Sequence, residues 1–335
     1  MTMFPRPQKY RAPLLVVAVS LCVSFTCDWG FYAHREINEL AIYTLPPKMF
    51  GFYKENLNFL REHAVDPDKR RYSVIGEAPR HYIDIDYYCK GDPKCDPFEL
   101  MPRKWNDAVE KYTEDTLQEY GIVPWHINTM VYRLTEAFKT NNTQRILRLS
   151  ADLGHYVGDA HVPLHTTLNY NGAMTNQRGI HAFWESRLPE LFDGDYDFFI
   201  GKGKYVESPL DLAWETVEGS HNALDSVLTF EAQLNDEWPS DQKYVHTERG
   251  RSVIKTYSEE YSKEYHKRLN GQVERRMKTA VITLGSLWYT AWVNAGQPDI
   301  SKSISLEELD ALEKKLEAES AGEARPDLQK REHGN

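Results

Sequence analysis

The stretch GHYVGDAHVPLHTT, residues 154–167, holds His155, Asp159, His161 and His165, a quarter of the chain's 12 histidines. On a helix His155 and Asp159 are four positions apart and share one face, with Cβ atoms about 5–6 Å apart. Pro163 ends such a helix and leaves His165 on the loop that follows. His161 points away from the His155–Asp159 face, and a local hydrogen bond is its expected role. The spacing recurs in HAFWE, where His181 and Glu185 also stand four apart. Imidazole with carboxylate is a donor set that suits Zn²⁺. One His-x3-Asp pair alone is most often a helix-surface hydrogen bond. Two such pairs flanking a further histidine point to a metal.

The rest of the chain frames these pairs in helices. His34 to Thr44 predicts a first helix stopped by Pro46-Pro47. Met49, Phe52, Tyr53, Leu57 and Leu60 lie at the spacing of a second. VDPDKRR breaks it, and Asp66 is expected just past its end. Ile127, Met130, Val131, Leu134, Ala137 and Phe138 mark another helix, and NNTQ caps the one that runs into His155. Ser208-Pro209 reads as an N-cap and first-turn proline ahead of Leu210, Ala213, Trp214, Val217, Leu224, Val227 and Leu228. A long apolar helix spans about 272–295, with Val273, Met277, Ala280, Val281, Leu284, Leu287, Trp288 and Trp292 as core positions. Strand-like alternation is scarce and no repeat is visible. The expected fold is all-α: a single compact multi-helix domain over residues 29–300. Residues 301–335 are expected to add a charged helix, with a stripe of Leu306, Leu309, Leu312 and Leu316, and a disordered polar tail.

At the other end, Arg6, Lys9 and Arg11 precede a mostly apolar run from Leu14 to Phe25. That run is short for a bilayer span and suits a signal peptide over residues 1–26, so an exported protein, periplasmic or extracellular, is expected; the rival reading is an uncleaved anchor. Cys89 and Cys95 in CKGDPKC read as a disulfide in a short turn-rich loop; the rival reading is a Cys-x5-Cys metal site. Formal net charge is −10, and more negative without the basic leader. That argues against a broad basic nucleic-acid platform, though not against a small cationic pocket built from metal ions. His63, His126, His221, His246, His266 and His333 have no partner spacing and read as surface or core residues.

The full set is Trp29-x4-His34, Asp66-x14-His81, His155-x3-Asp159-x5-His165 and His181-x3-Glu185. It resembles the trinuclear zinc site of the zinc-dependent phospholipase C and single-strand-specific nuclease superfamily. The resemblance implies up to three Zn²⁺. Asp66, His81 and His155 would hold one. His34 and Trp29, through its amine and carbonyl, would hold a second, with Asp159 bridging the two. His165, His181 and Glu185 would hold the third. It further implies hydrolysis of a phosphodiester by water activated at the ions, with Asp66 orienting that water and Lys69 or Arg70 steadying the phosphoryl oxygens.

Two departures from the family pattern stand out. The tryptophan begins the mature chain in the family, whereas Asp28 precedes Trp29 here and a cut after Thr26 leaves Cys27-Asp28 in front. The nucleases supply an arginine three positions after the ligand aspartate, where this chain has Lys69, with Arg70 next. Glu185 and the short gap from His165 to His181 look like the phospholipase branch. Tyr82 and Asp84 in HYID are similar to a nuclease element that stacks on a base and hydrogen-bonds it. The loop from Asn169 to Gly179, with Asn171, is expected to line the substrate cleft. A phospholipase-C-like phosphodiesterase is the leading reading. A single-strand-specific nuclease is the alternative, and a catalytically inactive zinc-binding protein the third. The partner is a phosphodiester substrate, either a phospholipid headgroup or single-stranded nucleic acid; no stable protein partner is expected.

Overall fold

The computed structural model describes residues 31–249, 252–301 and 304–320; Trp29 and the leader lie outside the described residues, as does the tail beyond 320. The helices, in chain order, are α1 (Phe31–Ile42), α2 (Pro47–Glu55), α3 (Leu57–Glu62), α4 (Asp66–Arg70), α5 (Pro97–Leu100), α6 (Trp105–Tyr112), α7 (Glu114–Tyr120), α8 (Val123–Lys139), α9 (Thr143–Ala160), α10 (Ile180–Ala182), α11 (Leu188–Phe192), α12 (Pro209–Glu237), α13 (Glu259–Arg268), α14 (Gln272–Asn294) and α15 (Leu306–Ser320). An antiparallel hairpin, β1 (Tyr244–Arg249) and β2 (Ser252–Tyr257), pairs Tyr244 with Tyr257 and Glu248 with Val253.

α9 is the axis of the arrangement. Asn142 caps it by accepting from the Arg145 amide at 3.0 Å. Ile146, Leu147 and Ala151 face the core, and from Ser150 to Ala160 every residue is buried. A helix buried all round has only protein to face, so His155 and Asp159 must point into the interior. α8 and α14 flank it, and the Trp288 indole donates to the Ser150 carbonyl at 3.2 Å. α12 starts where Ser208 accepts from the Asp211 amide at 3.2 Å, with Pro209 in its first turn.

Two glycines let α1 lie directly on α9. A Cβ on Gly154 would sit 1.7 Å from Asn38 Oδ1, and one on Gly158 2.7 Å from His34 Nδ1. That close approach stacks the His34 ring on His155, with centroids 4.1 Å apart.

The structure departs from the sequence reading in four places. The helix predicted through Leu60 breaks at Asn56, whose side-chain amide donates to its own helix at the Phe52 carbonyl, 2.8 Å away. Asp66 does follow a helix end, at the 3₁₀ turn His63–Val65 after α3, but with Pro67 in the first turn it opens a further helix, α4, in place of a break. The hairpin was not anticipated. The charged helix docks on the body as α15, burying Leu312 and Leu316 beside α4 and α9, with a two-pronged Arg148–Glu319 pair at 3.1 and 2.5 Å. Cys89 and Cys95 form a disulfide, with Cα atoms 5.6 Å apart.

Candidate metal centre

Donors from six segments meet around Asp159. α9 brings His155 and Asp159, α1 brings His34 and α4 brings Asp68. The 3₁₀ turn Ala78–His81 brings His81, and the turn Pro163–Thr166 brings His165. α10 runs through a π-turn, Phe183–Arg187, into α11; His181 sits in α10 and Glu185 on the π-turn, a local distortion frequent at functional sites. The histidines, Asp159 and Glu185 are all buried, none more than 8% exposed.

The spacings test whether these groups fit an ion. Four donors about 2.0–2.2 Å from a Zn²⁺ in a tetrahedron lie roughly 3.3–3.6 Å from one another. Asp68 Oδ1 is 3.5 Å from both His81 Nδ1 and His155 Nε2. His155 Nε2 is 3.3 Å from Asp159 Oδ2 and 3.0 Å from His81 Nδ1. His81 Nδ1 is 2.9 Å from Asp159 Oδ2. Asp68, His81 and His155 form one three-donor set, with Asp159 Oδ2 close to both of its histidines. The other oxygen, Asp159 Oδ1, faces away from this set, 3.4 Å from His34 Nε2 and 3.7 Å from His165 Nε2. His165 Nε2 lies 3.2 Å from His181 Nε2 and 3.4 Å from Glu185 Oε2. The His181–Glu185 edge is hydrogen-bond length, 2.6 Å. Glu185 Oε1 reaches back to 3.6 Å from His34 Nε2. Asp159 and Glu185 thus each offer one oxygen to a neighbouring donor group, the geometry of bridging carboxylates. The residues present fit a cluster of divalent ions.

The outer ring nitrogens fix the inner ones. His155 Nδ1 is 2.9 Å from the Ala64 carbonyl and His165 Nδ1 is 2.7 Å from the His81 carbonyl. Each must donate there, which leaves Nε2 with its lone pair turned inward, as metal binding requires.

Electrostatics carries the same signature. Burial opposes ionisation of Asp159, but the neighbouring His155 and His165 hold its carboxyl well below the usual range. Burial likewise opposes ionisation of Glu185, and His181, His165 and His34 pull it well down. His81 is depressed to about 4, by burial first; the Arg71 charge adds to this against the opposing Asp159 hydrogen bond. His34 and His155 move the other way, raised against burial by the facing carboxylates, so in the absence of ions the carboxylates are balanced by protons on these imidazoles, which metal binding must displace.

Several expected site residues stand elsewhere. Asp66 is not in the donor shell: His63 Nδ1 lies 2.6 Å from its Oδ2 and Lys69 Nζ 2.9 Å from its Oδ1. Positions 66 and 68 lie about 200° apart around α4, so one of the two faces the cluster, and it is Asp68. Arg70 does not reach a substrate position. It is buried, forked onto Asp152 at 3.1 and 2.9 Å and onto Glu77 at 2.9 Å. Tyr82 is 5% exposed, with its hydroxyl donating to the Glu119 carbonyl at 3.1 Å, so its ring faces are not offered to a base. Asp84 is buried beside it. Asn171 closes its own loop by accepting from the Gly179 amide at 2.9 Å. Lys69 is the partly exposed cation of α4, its side chain 39% accessible. His161 bonds locally, Nδ1 to the Val157 carbonyl at 2.7 Å.

Asp68, Arg71 and Glu77 were missed from the sequence. Arg71 is fully buried and holds its guanidinium carbon 5.8 Å from the Tyr82 ring centroid. The signal for both Asp68 and Arg71 was present: the arginine three positions after a ligand aspartate fits Asp68–Arg71, not Asp66–Lys69.

Buried His and acidic donors, grouped in a largely helical frame at separations that could hold metal ions, define the class of site. The S1/P1 Nuclease family model matches residues 29–295, and the chain belongs to that family. Among solved structures, the alpha-toxin of an avian strain of Clostridium perfringens is similar, at 12% identity and a TM-score of 0.46, over 81% of this chain and 66% of that one. This chain therefore spans just under two thirds of that protein's length. No curated protein matches the sequence.

Proposed function

We propose that the protein is an exported, zinc-dependent phosphodiesterase that cleaves single-stranded nucleic acid. The observation that carries the metal reading is the set of donor separations around Asp159, which match the edges of tetrahedral shells. Asp68, His81, His155 and Asp159 are the donors of one ion, and His165, His181 and Glu185 of another. His34 and the second oxygen of Asp159 belong to a third, which Trp29 would complete. Bound divalent ions supply Lewis acidity: they neutralise phosphate charge and acidify water.

The chain's own residues do the positioning. Asp66 anchors the Lys69 ammonium at 2.9 Å, a partly exposed cation at the edge of the site. Arg71, three positions from Asp68, is buried against Tyr82, and its charge acts on His81 of the donor shell. His165 and His155, pinned through Nδ1, keep their inner nitrogens aimed at the cluster.

Family membership and the Asp68–Arg71 spacing favour nucleic acid. The second reading, a phospholipase-C-like enzyme for phosphocholine esters, is favoured by the burial of Tyr82, which takes away the base-stacking element, and by Glu185. The Cys89–Cys95 disulfide and the basic-apolar leader support export. The test is metal analysis of the purified protein, with hydrolysis of single-stranded DNA and of phosphatidylcholine measured side by side. Tightly held zinc, with chelator-sensitive and zinc-restored DNA cleavage, is expected. Turnover of phosphatidylcholine alone moves the assignment to the second reading. A protein with no tightly held divalent ion overturns both.

A further inference from the structure

Behind the donor shell lies a buried charge network that binding of substrate does not use. Glu77 is its centre. Its Oε2 accepts from Arg70 Nε and from Arg80 NH1, each at 2.9 Å. Its Oε1 accepts the Tyr156 hydroxyl and lies 3.7 Å from His81 Nε2. Arg70 passes on to Asp152, and Arg148 Nε stands 3.9 Å from Asp152 on the far side. Tyr156 meets the His81 ring edge-on at 5.5 Å. Glu77 is fully buried, and a buried carboxylate held by two guanidinium groups and a phenol has little freedom to move.

His81 turns Nδ1 to the donor shell and Nε2 toward this carboxylate, at 3.7 Å within ion-pair reach and just beyond hydrogen-bond length. A metal-binding imidazole commonly gives its other N–H to a carboxylate, which fixes the ring and raises its basicity. From the placement of these atoms we infer that Glu77, locked by Arg70, Arg80 and Tyr156, is the positioning residue of His81 and sets the affinity of the ion held by Asp68, His81, His155 and Asp159. This rests on the metal reading given above. Asp152 supplies the internal comparison: it carries the same charge, bonds the same Arg70, and does not face His81.

The experiment compares Glu77→Gln, Asp152→Asn and Tyr156→Phe as intact proteins, by zinc content after dialysis against graded chelator and by the absorption bands of the cobalt-substituted forms. Glu77→Gln should weaken one ion about 10–100-fold, the range for a lost outer-shell partner, and alter the cobalt bands, while the other ions stay. Asp152→Asn should keep wild-type retention, and the unfolding midpoint of each metal-free variant reports the purely structural cost. Equal loss of zinc from Glu77→Gln and Asp152→Asn, or none from Glu77→Gln, overturns the inference. If Glu77→Gln does not fold, Tyr156→Phe decides: it removes the hydroxyl that donates to Oε1 and accepts from Arg70 NH2 at 3.1 Å, and unchanged retention overturns the inference. A wild-type protein without bound zinc instead overturns the proposed function, so the two failures are distinguishable.

Discussion

Gly158→Ala is a one-methyl probe of the cluster. The new Cβ would lie 2.7 Å from His34 Nδ1 and 2.9 Å from Cε1, where ordinary contact begins at 3.4 Å. The ring must therefore recede by about 0.7 Å. If Nε2 moves with it, the 3.4 Å separation from Asp159 Oδ1 grows to about 4.1 Å, beyond the edge of a tetrahedral shell. The stability cost is small by comparison. Overpacking costs about 1–3 kcal/mol, and alanine in a helix interior returns roughly 1 kcal/mol over glycine, which leaves about 0–2 kcal/mol. The expected result is a folded protein that loses the ion beside His34 and retains the others. Zinc content after dialysis, paired with denaturant unfolding in chelator, measures both. A Gly158→Ala protein with full zinc content and wild-type chelator resistance would refute the placement of His34 in the cluster.

Asp159→Ala removes the carboxylate whose two oxygens face different donor groups, so two ions and hydrolysis should be lost together, read by zinc content and turnover. Arg70→Met leaves buried Asp152 with only Arg148 Nε, 3.9 Å away, as a cation and should destabilise by about 3–5 kcal/mol in denaturant unfolding. In α15, Leu316→Ala should cost about 2–3 kcal/mol and Glu319→Ala, whose side chain is 31% exposed, under about 1 kcal/mol; the reverse order would show the helix to be held by charge. His126 is buried with Nε2 lacking a hydrogen-bond partner, and burial, then the Arg80 charge, hold it well below its ordinary value. Folded His126 stays neutral while the unfolded chain takes up a proton below about pH 6.5, so its contribution to stability falls as pH drops through that point. His126→Phe should flatten that acid-side loss in unfolding midpoints measured from pH 7 to 5.

The long helices were legible because their signals are local. Asn142 and Ser208 cap where their side chains predict, and the apolar positions of α8 and α14 are the buried ones. His155 with Asp159 and His181 with Glu185 were legible because four-residue spacing fixes a shared face on any helix. The hairpin was not, since Val245 and Val253 point to solvent, 41% and 66% exposed, and leave no apolar alternation. Asp68 was masked by Asp66, two carboxylates astride one proline; which of them faces inward depends on how α4 enters from the 3₁₀ turn His63–Val65. Arg70 and Arg71 are adjacent cations with separate fates, one bound into the Asp152–Glu77 network and the other set against Tyr82. Only tertiary packing assigns them. Glu77 gave no sequence sign, because its partners Arg70 and Tyr156 come from different helices.

The most direct test of the account is anomalous diffraction from crystals of the protein at the zinc absorption edge. Peaks centred between Asp68, His81, His155 and Asp159, and between His165, His181 and Glu185, are predicted. A fully occupied zinc coordinated by Asp66 with these inward-facing nitrogens empty, or no peak among them at all, would contradict it.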